Sequence, residues 1–360
     1  GGTATAGAAG ASAGTSGSGT AGASGSAGSG GSGGTCSSVA FHPRAPVVFF
    51  LLDRSSTMFA PTDYWSPLKA SVLATINAFS SQIRFGFAAY TGVIAQTCPL
   101  DLTVAGGIAL DNYAAINQVL GALGSPGTKA ESPTASALTA IRPTLLAQSG
   151  TKTIFLITDG GHDFCNDGQL ECPADAVISE LQASFAAGVR TSVFGIKNAL
   201  YLDPAQMQAE ANAGVGASVD GNALTTYSVC SGQADWRSLW TAKGSPANQA
   251  LGTYVAGSTT ATPYTLLDTA QQDALTSTLK TATAALKSCT FDVTGAALNP
   301  ALASQGVVRI DGSNVPMDAS NGWRLNSPTE LELVGSACAG FRTLAAQTVS
   351  FAFPCSSLSL

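Results

Sequence analysis

The chain has 360 residues, only 11% of them charged, and a net charge of −6. It contains no cluster of Lys and Arg, so it lacks the cationic face that neutralises nucleic-acid phosphates or grips an anionic membrane surface. No apolar run approaches the ~20 residues that a membrane-spanning helix needs.

Residues 1–35 are drawn from Gly, Ala, Ser and Thr. Such a stretch cannot bury enough apolar surface to offset chain entropy, so it reads as a disordered tether. A coil of this kind spans roughly 30–35 Å, which suits a domain held off a surface. A passive tail left by processing is the alternative. The low-complexity start is that expected of a mature exported protein, with room for a lipid anchor upstream of residue 1. The remainder is long enough for one large domain, 36–288, and a small one, 289–360.

The first strong element is Val47 to Leu52, apolar at every position and therefore predicted as a central strand covered on both faces. It ends at Asp53. A helix follows, with Ser66 as the expected N-cap, Pro67 in the first turn, and Leu68, Val72, Ile76 and Phe79 on one face. Strands are predicted at 83–89 and 98–104, and helices at 111–120 and 135–147. A second buried strand, Thr153 to Thr158, ends at Asp159. Then come a helix over 175–187 closed by Gly188, a strand over 191–196, and a long helix over 269–287. Strands alternating with helices predict an α/β fold with a doubly wound, mostly parallel sheet. In such sheets ligands bind at the carboxyl ends of the strands, where Asp53 and Asp159 both lie.

After Cys289 the pattern changes. Short strand candidates at 291–293, 307–310, 323–325, 331–334 and 349–353 are separated by Gly, Pro and Asn. They predict a small antiparallel β module with no helix, stapled by cysteines. The chain has eight cysteines and no CxxC pair, and its two histidines leave little for a zinc site, so the cysteines read as disulfides of an oxidising compartment. Eight cysteines allow 105 pairings; Cys165 with Cys172 is one local candidate.

The chemistry concentrates at Asp53-Arg54-Ser55-Ser56-Thr57. A carboxylate and two hydroxyls at alternate positions of a loop can converge on one point. Asp159 leaves a second buried strand on the same rim, and Thr134 of Ser132-Pro133-Thr134 starts a helix between them. Hard cations take such oxygen ligands, and Mg²⁺ is held by one or two carboxylates while keeping several waters.

The three motifs LLDRSST, SPTASAL and IFLITDG resemble, in order and placement, the metal-ion-dependent adhesion site of von Willebrand factor A domains over roughly residues 46–288. The resemblance implies that Asp53, Ser55, Thr57, Thr134 and Asp159 hold Mg²⁺ (or Mn²⁺ or Ca²⁺). It also implies an open metal position for a carboxylate of a protein or extracellular-matrix partner. Two positions depart from the pattern: Thr57 stands where the family has Ser, and Ser56 where it has Gly. A positive φ at Ser56 would be strained. Cys289-Thr290-Phe291, Gly322-Trp323 and Phe353-Pro354-Cys355 further resemble a group of exported bacterial A-domain proteins common in myxobacteria. That likeness implies an extracellular or cell-surface location, as a secreted protein or lipoprotein.

Two other functions compete with the binding module. A structural surface protein could use the metal for fold stability alone. A metal-assisted hydrolase could activate water at the acidic rim, but no nucleophile–histidine pair is visible in the sequence, and the expectation is a non-enzyme. His162 and Asp163 read as an ordinary polar loop after Asp159, and the acidic stretch Asp163 to Asp175 as a solvated, disulfide-held loop. Trp236 and Trp240 mark a packed insertion within 221–262.

Overall fold

A computed structural model describes residues 39–92, 100–128, 130–162, 173–219, 264–345 and 348–359. A short strand, β1 (Ala40–Pro43), precedes the apolar run, which forms β2 (Val47–Asp53). All seven residues of β2 are buried, and each large apolar side chain so buried contributes roughly 1.5–3 kcal/mol. The chain continues through α1 (Trp65–Phe79), β3 (Arg84–Gly92), β4 (Leu100–Val104), α2 (Tyr113–Ala122), α3 (Thr134–Leu146) and β5 (Lys152–Thr158). It then forms α4 (Pro173–Ala186), β6 (Val189–Ile196), α5 (Pro204–Gly214), β7 (Thr265–Leu267) and α6 (Gln272–Ala284).

Six of these strands make one sheet in the order β4-β3-β2-β5-β6-β7, parallel except where β4 pairs antiparallel with β3. Alternation along β2 divides the core. Val47, Phe49 and Leu51 pack with α3, α4 and α5, whereas Val48, Phe50 and Leu52 pack with α1, α2 and α6. The register sets Leu52 beside Ile157. Asp53 is therefore level with Thr158, and Asp159 lies one residue beyond on the same rim.

Helix starts differ in detail from expectation. α1 begins at Trp65, and its early amide is satisfied by Asp63, whose Oδ1 accepts from the Ser66 N–H at 2.9 Å. Ser66 is thus inside the helix rather than capping it. Helix α5 and strand β7 have no counterpart among the predicted elements, and α6 is shorter than predicted.

The rest of the chain forms β8 (Thr290–Thr294), β9 (Ala297–Leu298), β10 (Val307–Ile310), β11 (Ser313–Val315), β12 (Trp323–Ser327), β13 (Glu330–Leu333), α7 (Gly335–Phe341), β14 (Val349–Ala352) and β15 (Leu358–Ser359). Their pairings are antiparallel, in sheets β1-β8-β13-β12, β11-β10-β14 and β15-β9. The short helix α7 corrects the expectation of a helix-free module, and the Cys289–Cys338 disulfide ties it to the start of β8. β1 joins this second region although it precedes the large sheet in sequence. Phe41 is the physical reason: its ring stacks on Phe351 at 4.2 Å in a core that also holds Phe291, Trp323 and Phe353.

Cys355 is also disulfide-bonded, and none of the cysteines among the described residues is free. The Cys165–Cys172 pairing, the acidic stretch at 163–172, the tryptophan insertion and the tether lie outside the described residues. No helix among the described residues is long and apolar enough to cross a membrane.

Candidate metal centre

Where β2 ends, the Ser55 N–H donates to Asp53 Oδ1 at 2.8 Å and curls the chain back over the strand end. Ser55 is extended, with φ −64° and ψ 166°, and a single 3-10 turn, Ser56–Met58, follows. This geometry sends alternate side chains inward: the hydroxyls of Ser55 and Thr57 lie 3.0 Å apart. Ser56 points the other way, and its N–H and hydroxyl both donate to Ala130 O, at 3.0 and 3.2 Å. Its φ is not positive, so the strain expected from Ser in place of Gly does not arise.

Asp53 is fully buried. Thr158 Oγ1 donates to its Oδ2 at 2.8 Å, and Ser132 Oγ reaches both carboxylate oxygens at 3.2 and 3.3 Å. Asp159, 1% exposed, is bonded by the Thr57 hydroxyl, yet its Oδ1 is buried without a hydrogen-bond partner. Arg54, next in sequence to Asp53, turns away to pair with Asp101 at 3.1 Å. Burial, and then the charge of Asp159, push the Asp53 carboxyl up from its ordinary 3.8 to about 7. Burial likewise raises Asp159.

The residue after Asp159 must be glycine. Gly160 has φ +99°, and a Cβ there would lie 2.9 Å from Leu202 Cα and Tyr201 O. Its N–H donates to Thr158 Oγ1 at 3.1 Å, and its carbonyl accepts from Gln206 Nε2 at 3.1 Å.

Thr134, the first residue of α3, brings its hydroxyl 2.8 Å from Tyr90 OH and 2.7 Å from His162 Nδ1. His162 Nε2 in turn lies 2.8 Å from Glu210 Oε1, which also accepts from Gln206 Nε2 at 2.9 Å. The side chains of His162 and Glu210 are buried. Burial pulls the imidazole pKa down, but the charge and hydrogen bond of Glu210, with Asp53 and Asp159 behind them, lift it above its ordinary value. His162 is therefore not the ordinary polar loop residue expected: α5 supplies a buried carboxylate that holds it.

The hydrogen-bond network thus links all five predicted ligands, Asp53, Ser55, Thr57, Thr134 and Asp159, to this rim. It adds Ser132, Thr158, Tyr90, His162, Gln206 and Glu210, which the motif pattern did not select. Ser132 and Thr158 are sequence neighbours of motif residues and could have been suspected as hydroxyl donors. Glu210 and Gln206 carried no signal, because they lie 48 and 44 positions past His162 on an unpredicted helix. The fold also creates a hydroxyl–imidazole–carboxylate chain, Thr134–His162–Glu210, where none was visible in the sequence. Thr134 is fully buried, and its contacts with Tyr90 and His162 fix the orientation of its hydroxyl. Among the described residues no three His, Cys, Asp or Glu side chains form a metal cage. What is present, two carboxylates among hydroxyls, is the donor chemistry of a hard, oxygen-seeking cation.

No family model matches the chain, and no curated protein matches it. Solved structures similar to it include a von Willebrand factor type A protein from Catenulispora acidiphila, 13% identical over 88% of this chain and 59% of that one, with a TM-score of 0.42. The SpaC pilus adhesin of Lactobacillus rhamnosus GG is 11% identical over 87% of this chain and 40% of its own, with a TM-score of 0.44. Proximal thread matrix protein 1 of the mussel byssus, in a form with a zinc-occupied MIDAS motif, is 16% identical over 48% and 42%, with a TM-score of 0.34. The chain spans less than two thirds of each of these three. Likenesses this low carry no argument, and the functional reading rests on the residues of the rim.

Proposed function

We propose that the chain is a von Willebrand factor A-type binding module of an exported or cell-surface protein, with a divalent cation as its point of contact. Asp53, Ser55, Thr57, Thr134 and Asp159 hold the ion, Mg²⁺ or Mn²⁺ in preference to softer metals. The observation that carries this reading is Asp159 Oδ1, buried without a hydrogen-bond partner and close enough to a second buried carboxylate, Asp53, to feel its charge. Two buried anions disfavour each other unless a cation lies between them. The donor set also supports it: the aligned hydroxyls of Ser55 and Thr57 are neutral ligands that leave the charge of a divalent ion just balanced by the two aspartates. When bound, the ion supplies a Lewis-acidic position that accepts a carboxylate oxygen from a protein or matrix partner. The protein's own part is positional. Ser132 and Thr158 orient Asp53, and the Tyr90 and His162 contacts hold Thr134.

The test is calorimetric titration of Mg²⁺ and Mn²⁺ into chelator-stripped protein, beside Asp53→Ala checked for folding by circular dichroism. One-site binding that the variant loses is expected. A native chain that binds neither ion refutes the metal centre. An ion that binds but never changes the capture of carboxylate-bearing partners makes it a structural ion instead.

A further inference from the structure

Past the end of β6 the chain makes a tight turn beside the candidate centre. Asn198 takes φ 63°, the Ala199 N–H donates to Ile196 O at 3.2 Å, and the Leu202 N–H donates to Ala199 O at 3.4 Å. This turn projects Leu200 and Tyr201 into solvent. At 80% and 55% exposure they are the two most exposed large apolar side chains among the described residues, and they are adjacent. A single exposed leucine needs no explanation, but a fixed apolar pair on a functional rim does.

Two sets of contacts fix the turn that carries the pair. On one side the turn rides over the two residues that follow Asp159: a Cβ on Gly160 would lie 2.9 Å from Leu202 Cα, and one on Gly161 would lie 3.1 Å from Tyr201 Cβ. On the other side Tyr64 OH donates to Asn198 O at 3.2 Å, tying the turn to the segment that follows Thr57. Phe59 and Tyr64 of that segment are half-buried. The turn that carries the pair is thus held between the two loops that supply Thr57 and Asp159, so its backbone is already placed and only the two side chains are ordered on binding.

We propose that Leu200 and Tyr201 are the apolar half of the ligand-binding surface, so that the partner is an extended peptide segment carrying a carboxylate next to a large apolar side chain. The inference rests on the metal reading: the ion takes the carboxylate, and Leu200 and Tyr201 take its neighbour. Charge and shape agree on this occupant. A divalent ion held by Asp53, Asp159 and neutral hydroxyls would keep a coordination position for one more hard oxygen, which a carboxylate supplies, and the exposed apolar area beside it rewards a ligand that covers it.

The test uses the full chain saturated with Mn²⁺ and two synthetic hexapeptides that differ only in whether Phe or Gly follows a central Asp. Calorimetry is run on the native chain and on the double variant L200S/Y201S, whose exposed side chains leave the core untouched. In the native chain the Asp–Phe peptide is expected to bind roughly tenfold tighter than the Asp–Gly peptide, about the effect of covering one apolar side chain. The double variant is expected to bind Mn²⁺ as before and to bind the two peptides equally. Equal affinities in the native chain, no binding of either peptide to the Mn²⁺-loaded chain, or a Phe preference that survives in L200S/Y201S each overturn the inference while leaving the metal centre standing. Failure of the native chain to bind Mn²⁺ overturns the metal centre and the inference together.

Discussion

Replacing Asp53 by Asn in chelator-stripped protein is expected to stabilise the fold while abolishing metal binding. The folded state holds the Asp53 carboxyl near 7 instead of its ordinary 3.8, through burial and the nearby charge of Asp159. In the unfolded chain this group ionises near its ordinary value. Between those two pH values the folded state therefore holds more protons, and stability falls as pH rises. Above pH 7 the full penalty is present, roughly 4 kcal/mol at about 1.36 kcal/mol per tenfold change in acidity. Asp159 is raised as well, and the raised imidazole of His162 loses its stabilising proton in the same direction, so the three groups add in sign. Asparagine cannot ionise, yet its oxygen can still accept from the Ser55 N–H and its amide can donate to the Thr158 or Ser132 hydroxyl. A gain of about 1–3 kcal/mol at pH 7.5 is expected, allowing for imperfect replacement of those hydrogen bonds. The assay is urea unfolding of both proteins in chelator at pH 5 and pH 7.5, repeated at pH 7.5 with Mn²⁺. The native chain should lose stability on going to pH 7.5, and the variant should lose less. An ion present at 100 times its dissociation constant should restore about 2.7 kcal/mol to the native chain alone. A chelator-stripped native chain as stable at pH 7.5 as at pH 5, with no gain in the variant, would refute the idea that burial and mutual repulsion of Asp53 and Asp159 weaken the metal-free fold.

Three further outcomes can be checked. Lys287 is 1% exposed, donates to Thr343 O at 3.0 Å and sits 4.6 Å from the Phe341 ring centre; burial, opposed by Asp311, lowers it to about 8. Between pH 8 and its ordinary 10.5 the unfolded chain holds the extra proton, so this group makes stability rise with pH, and Lys287→Met should raise the urea midpoint at pH 7, with most of the gain gone by pH 10.5. Gly160→Ala forces a Cβ into Tyr201 O and Leu202 Cα at a positive φ; it should cost at least about 1 kcal/mol in thermal unfolding and weaken Mn²⁺ binding by displacing Asp159. Cys289→Ser opens a cross-link between residues 49 apart, which loop entropy values at about 4 kcal/mol, so the β-rich region should unfold at markedly lower urea while Mn²⁺ affinity is kept.

Much of the large sheet was legible because its strands are buried on both faces. The runs at 47–52 and 153–158 could hardly be anything else, and the four-residue spacing of Leu68, Val72 and Ile76 defined the buried side of α1. Of the five ligand candidates, Asp53, Ser55 and Thr57 follow from side-chain alternation in a loop after a strand, a local property; Thr134 and Asp159 were chosen for their places at a helix start and at the end of a second buried strand, and the resemblance joined the five into one set. In the β-rich region the strands at 307–310 and 323–327 announced themselves between turn residues, whereas α7, a seven-residue helix starting at Gly335, carries too little periodicity to be seen.

What local pattern could not determine is which distant segments meet. Nothing in residues 40–43 says that they pair with 291–294, across the whole α/β region; the stacking of Phe41 on Phe351 decides it. Nothing in Glu210 marks it as the partner of His162, because the helix that carries it is weakly patterned and the pairing spans 48 residues. The sequence by itself determined the buried strands, the acidic rim and the oxygen-rich donor set, all consequences of periodicity and side-chain chemistry over a few residues. The tertiary structure alone decided that Asp159 Oδ1 is left without a partner, that Thr134 is held by a buried His162–Glu210 pair, and that Leu200 and Tyr201 stand beside the site. Burial, desolvation and contact at long sequence separation exist only once the chain has closed on itself.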